Sequence, residues 1–309
     1  MINFRYHIVS LMAVFLALAV GIAAGVSIGA PVEKGVLDQA GKDRDEVTAL
    51  RAEIDRRKVV DQYRQSYELE AGAVLAGTVL AGTRVAVVAM PDAPADVVQA
   101  VTTATTQAGG TVVREVQLKE DVFNPNSAAE VADALSGPET AALNFGAETT
   151  PGTRVGRALA RAIADRAVGD RDAQAQQLDR ALTRAGLVTI SDTSPAWAQL
   201  VLVVTATAST PAVLPAVLEE HLQIDLALQE RAAVVLAGPN STGLEGTDVL
   251  AARNSAAAGS RVSTVDVADL SSGVTTTILA GKEQLGGRLG RHYGALAQAD
   301  APLPELPVR

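Results

Sequence analysis

The sequence predicts an α/β protein carried on a membrane helix, and three observations predict it. Residues 8–30 contain no ionisable side chain, residues 33–71 are charge-rich and free of proline, and short Val-rich runs alternate with helical stretches from Thr83 onward. The expected architecture is an N-terminal transmembrane helix, a stalk or coiled-coil helix, and a doubly wound, mostly parallel Rossmann-like sheet domain. By segment this gives a cytoplasmic leader at 1–7, a transmembrane helix at 8–30, a stalk at 31–78, an extracytoplasmic α/β domain at 79–298 and a disordered tail at 299–309.

The apolar run would form roughly 34 Å of helix at about 1.5 Å per residue, enough to cross a hydrocarbon core of about 30 Å. A secretory signal peptide is the competing reading, with an apolar core of about 7–15 residues ending at a small-x-small site. Ser27-Ile28-Gly29 leaves such a site conceivable, but the length of the run favours an uncleaved anchor in the lipid bilayer. The leader MINFRYH carries Arg5 and the amino terminus with no acid. Positive charge stays inside, so the N-terminus is expected in the cytoplasm and the bulk of the chain outside it. No second apolar run approaches spanning length.

Ala13, Ala17, Gly21, Gly25 and Gly29 recur every fourth residue along this helix. Apolar helices in lipid have no hydrophobic force between them, so close backbone approach along small residues is what holds them together. Beyond the bilayer, Val36, Ala40, Val47, Leu50 and Ile54 fall on a three-four spaced seam, interrupted by Asp43 and Arg57. This is a short, leaky heptad pattern. The two features together suggest a parallel homodimer.

The remainder reads as alternating strand and helix. TRVAVVAMPDA (83–93) is a β-rich run ended by a Pro-Asp turn, 93–110 is helical with a Gly-Gly stop, and TVVREVQL (111–118) is the next strand. Helices at about 173–185 and 211–230 alternate with strands at GLVTI, 199–206, 232–239 and 261–269. The stretch beginning PGTRVGRALARAIADR adds one or two Arg-rich helices, on which Arg161 is placed to pair with Asp165 at i+4. Continuous apolar strands alternating with helices argue for a parallel sheet covered on both faces.

Composition narrows the function. The formal net charge of −9 argues against a nucleic-acid binder, which needs a basic face. The absence of cysteine removes disulfides, thiolate metal sites and a cysteine nucleophile together. No GxGxxG follows the first strand, and neither a P-loop nor a GxSxG elbow occurs, so no enzyme is expected and no cofactor. Asp92, Asp96, Asp121 and Asp192 follow strands or turns, where they form either an acidic cleft or helix caps and solvated loop ends.

HIVSLMAVFLALAVGIAAG, LAGTRVAVVAMPDA, QAGG, VSTVD and GVTTTILAGKEQLGGRLGRHYG occur in the order found in an actinobacterial family. The chain resembles the mycobacterial copper transport protein B family along essentially its whole length. The resemblance implies a role in copper efflux or homeostasis, and members are described as transporters or outer-membrane channels. It also links members to cell separation with a membrane protein encoded nearby as partner. The architecture of anchor, stalk and cysteine-free α/β domain without a catalytic constellation favours an alternative, a cell-surface scaffold that recruits partners for cell separation or envelope remodelling through its coiled coil and α/β domain.

Copper itself is implied only by that resemblance. Cu(I) prefers thiolate and thioether ligands, whereas Cu(II) accepts imidazole and carboxylate. The chain offers only Met1, Met12 and Met90, and His7, His221 and His292. His221 and Asp225, at i and i+4 on a helix, are a weak candidate pair, against which stands a merely hydrated surface helix. His292 in a glycine-rich loop is weaker still. The outer-membrane location lacks its sequence signature, since a β-barrel needs alternating segments of about 10 residues with aromatic girdles. The reading is a single-pass, non-catalytic protein of the cell membrane.

Overall fold

The computed structural model describes residues 4–146, 149–192, 194–239 and 245–306, with side chains placed from residue 7 onward apart from 26–43 and residues 125 and 192. The chain divides into two compact units, Met1–Arg64 and Gln65–Arg309.

The first unit is helical. Helix α1 runs Phe4–Ala76, so the anchor and stalk expected as separate helices are one continuous element. Within it, His7–Gly25 has a mean hydropathy of 2.5 and none of it is buried. By length and composition it is the one stretch among the described residues apolar enough to cross a membrane. Ala13, Ala17, Gly21 and Gly25 are exposed along it. The side chains at Gly29, Val36 and Ala40 fall outside the described residues, while Val47, Leu50 and Ile54 stand about half exposed. Glu53 pairs with Arg56 and Arg57 one turn on, at 2.5 and 2.9 Å. Exposed helix pairs of this kind contribute about 0.3–0.5 kcal/mol each.

The second unit begins with the last turns of α1. It continues through β1 (Arg84–Ala89), α2 (Ala95–Gln107), β2 (Thr111–Leu118), α3 (Ala128–Ala134), α4 (Pro151–Ile163), α5 (Ala173–Arg184), β3 (Val188–Asp192) and β4 (Leu200–Val204). Then follow α6 (Pro215–Arg231), β5 (Ala233–Ala237), α7 (Asp248–Asn254), α8 (Ala256–Gly259), β6 (Ser263–Val265), α9 (Ser271–Leu285) and β7 (His292–Tyr293). The strands form one seven-stranded sheet in the order β3-β2-β1-β4-β5-β6-β7. Every neighbouring pair is parallel except β2 with β3 at the edge.

Strand side chains alternate faces with a period of two, and here both faces are apolar. Ala86, Val88, Val201, Val203, Val234 and Leu236 enter one core, shared with Leu159, Leu178 and Leu228 of α4, α5 and α6. Val85, Val87, Leu200, Leu202, Val204 and Val235 enter the other, shared with Val101 of α2 and Ile278 of α9. This double coverage is why the strands read as unbroken Val-rich runs rather than alternating ones.

One expectation is corrected. Arg161 does not pair with Asp165: α4 ends at Ile163 and Ala164 is extended (φ −126, ψ 137), so the helical i+4 geometry is gone before Asp165. Arg161 instead reaches Asp172 at 2.6 Å, and Asp165 takes Arg231 at 3.4 Å. The stretch from Ser271 to Leu285, to which the periodicity assigns no element, forms α9. Of the tail, Ala301 is bridged to Tyr293.

Candidate functional site

Among the hollows of the Gln65–Arg309 unit, two differ in chemistry. The larger, about 730 Å³, lies among the last turns of α1, α2 and α9. Its walls are mainly apolar and hydroxyl side chains such as Leu69, Val97, Ala100 and Ile278, with Asp96 at its edge. Size alone would select it. The titratable groups, however, gather elsewhere.

In sheet order β1 is the turning point: the chain steps from β1 to β2 on one side, then from β4 outward on the other. Loops leaving the carboxyl ends of strands at such a point diverge and leave a crevice, the common ligand position of open α/β sheets. A cavity of about 190 Å³ occupies it here. Pro91 and Asp92 arrive after β1, Glu120 and Phe123 after β2, Thr207 and Ser209 after β4, and Gly246, Thr247 and Asp248 after β5. Met90 N–H donates to the Val204 carbonyl at 2.9 Å, fixing the mouth between β1 and β4. Asp92 turns the chain with φ +58, a left-handed conformation uncommon outside glycine.

His221 on α6 lines this cavity while only 7% exposed. Its Nδ1 lies 2.6 Å from Asp248 Oδ1. The Phe123 ring meets the imidazole edge-on, with centroids 4.1 Å apart. Asp248 opens α7, where Thr247 caps the helix by accepting from Leu250 N–H.

One turn further along α6, Asp225 is 1% exposed and its Oδ1 has no hydrogen-bond partner. Burial first, and the nearby Asp248 charge second, push its carboxyl well above the usual carboxylate range. His221 and Asp225 are therefore buried, not a hydrated surface pair, and the partner of His221 is Asp248.

His292 stands apart, on edge strand β7 rather than in a loop. Its Nδ1 lies 3.0 Å from Thr264 Oγ1, and its backbone N–H donates to Asp300 at 2.9 Å. Burial, then the Arg253 charge, hold its imidazole below the usual value. Arg253 pairs at 2.7 Å with Asp266, both side chains 1% exposed. Asp266 also accepts from Ala295 and Leu296 N–H, a satisfied network of the kind that fixes a fold. Among the described residues, no group of three or more His, Cys, Asp or Glu stands close enough to hold a metal ion.

Of the four aspartates read from sequence, only Asp92 reaches the crevice. Asp96 lies in the first turn of α2, Asp121 in a 3-10 turn and Asp192 at the end of β3. Glu120, Phe123 and Asp248 were not legible as site residues. Thr247-Asp248 carries a capping signal, but that marks a helix start and not a partner for a histidine in another element.

A helix with an apolar start of membrane-spanning length and a mostly parallel sheet with a histidine-carboxylate crevice at its switch point define an α/β protein with an apolar N-terminal helix. The chain belongs to the family described as "Copper transport outer membrane protein, MctB", whose profile matches residues 1–304. It is similar to the "Copper transporter MctB" of Mycobacterium tuberculosis and to that of Mycobacterium bovis. Each is 28% identical over 305 residues, covering 95% of this chain and 96% of the relative.

Proposed function

We infer that this chain is a single-pass envelope protein that keeps cellular copper low, with its N-terminus in the cytoplasm and its α/β unit on the far side. The observation that carries the reading is the match over residues 1–304 to a family described by copper transport. The apolar stretch His7–Gly25 and its Arg5-bearing leader support the anchor and its orientation. The exposed row of Ala13, Ala17, Gly21 and Gly25 supports a parallel homodimer through α1, in lipid where close helix contact replaces the hydrophobic effect. Copper is cargo in this reading, and its passage is not assigned to His221, Asp225 or His292. The chemistry is transport or its support, not bond making.

A strain lacking the protein tests this. Cell-associated copper, measured by mass spectrometry after growth in micromolar copper, is expected to rise several-fold on deletion. The full chain restores it, and a chain lacking residues 1–30 does not. Unchanged copper content in the deletion strain overturns the reading.

A further inference from the structure

The trench of about 730 Å³ in the Gln65–Arg309 unit is walled on one side by a face of α1 whose spacing the sequence repeats. Gln65, Leu69, Gly72, Ala73 and Ala76 line it, while Tyr67 and Val74, on the reverse side of the helix, are 65% and 72% exposed. Helix α2 contributes Ala100 and Ala104, and α9 contributes Val274 and Ile278. Gly72 seats α1 on α9, where a Cβ would run into the Thr275 hydroxyl, so this wall is fixed. Leu69 is nonetheless 59% exposed. The trench volume equals roughly 9 Å of a helix about 10 Å across, or about two turns.

Gln65, Leu69, Gly72 and Ala76 are spaced 4, 3 and 4 residues apart. Eleven residues earlier stand Ile54, Lys58, Asp61 and Gln65, and eleven before those Asp43, Val47, Leu50 and Ile54. An eleven-residue repeat, at about 3.67 residues per turn, returns to one side of the helix and favours a right-handed pair. Small residues at every fourth position, as at Ala17, Gly21 and Gly25, favour the same hand. The repeated face is also self-complementary. Lys58 stands one turn before Asp61, so in a parallel pair each copy sets its Lys58 near Asp61 of the other, a match that two-fold symmetry supplies. Within the chain, the pairs of Lys58 with Asp55 and of Asp61 with Arg64, both at 3.4 Å, are exposed and contribute little.

We propose that each trench receives the last turns of α1 from a second copy of this chain, running parallel to its own. Leu69 then meets Leu69 across the two-fold axis, and the reverse side of the incoming helix, at Tyr67 and Val74, packs on Ala100 of α2. The inference rests on the parallel homodimer of the copper reading and extends it to the α/β unit. Burial of Leu69, Tyr67 and Val74 in both copies supplies a hydrophobic driving force in water, which the small-residue row in lipid lacks.

The chain has no cysteine, so single cysteines in the full chain report one contact each. Disulfide formation is driven by iodine in native membranes, with Gly25→Cys reporting the homodimer itself. Leu69→Cys is expected to crosslink as fully as Gly25→Cys. Differently tagged copies carrying Val74→Cys and Ala100→Cys, expressed together, are expected to give the mixed dimer. Lys58→Asp lowers the Leu69→Cys yield several-fold, and adding Asp61→Lys restores it. The proposal is overturned, with the homodimer intact, if Gly25→Cys crosslinks while Leu69→Cys or the mixed pair does not. If none of the three crosslinks, the homodimer falls with it. A Lys58→Asp chain that crosslinks like its parent also overturns the proposal.

Discussion

At the scale of single residues, Asp225 is a buried carboxyl with one oxygen left without a partner. Its i+4 spacing from His221 is legible in the sequence, but its burial is not, because the covering groups come from elsewhere. Asp248 lies 27 residues from His221 along the chain, and no local pattern announces the 2.6 Å contact. The folded state holds the Asp225 carboxyl above its ordinary value, so it favours the protonated form. The corresponding stability is fully present below the unfolded value of about 3.9 and is lost as pH rises toward the raised folded value. Asp225→Asn removes that loss. Thermal unfolding between pH 4 and 8 is expected to show the variant gaining on the parent as pH rises, with the difference levelling off near pH 4. A pH-independent difference would mean that Asp225 is ionised in the fold.

At the scale of elements, the strands and most helices follow from apolar period and Gly/Pro punctuation: β1, α2, β2, α5, β4, α6, β5 and β6 all fall where the pattern sets them. Helix α9 does not. Its start, Ser271-Ser272-Gly273-Val274-Thr275-Thr276-Thr277, is a run of weak helix formers. It is helical because Val274, Ile278 and Ala280 are buried in one of the two cores; the Thr275, Thr276 and Thr277 hydroxyls satisfy themselves on carbonyls one turn back, which does not favour the helix. Packing overrides propensity there. The contact of α4 with α6 has its own device. Gly152 and Gly156 face α6, and a Cβ on Gly156 would lie 2.8 Å from Ile224 Cα, a backbone atom that cannot swing aside. Gly156→Val is therefore expected to destabilise by about 1–3 kcal/mol. At about 2–4 °C per kcal/mol this is a clear fall in the melting temperature of the detergent-solubilised chain. An unchanged transition would show that α4 and α6 can separate at no cost.

At the scale of the whole molecule, the same four-residue spacing of small side chains occurs twice with different neighbours. In α4 it meets α6 within the chain, whereas along His7–Gly25 a Cβ on Gly21 or Gly25 meets nothing within 4 Å. Among the described residues nothing packs on the second stripe, which is where the proposed homodimer would place another copy. Replacing Gly25 by leucine would hold neighbouring backbones apart. For Gly25→Leu, the yield of crosslinked dimer in native membranes is expected to fall several-fold at equal expression, while the fold of the α/β unit is unaffected. A yield equal to that of the parent would remove the stripe from the association.

The sequence by itself determined the apolar helix, the strand-helix alternation, the mostly parallel sheet and the family, because each is written in local period, composition or residue order. Tertiary structure alone decided which charged groups meet. The His221–Asp248 contact, the exchange of Asp165 for Asp172 beside Arg161, and the acid-lined crevice arise from loops far apart in the chain but converging at strand ends. Hydrophobic period is a property of neighbours along the chain. Electrostatic partnership is a property of neighbours in space, and only the fold supplies those.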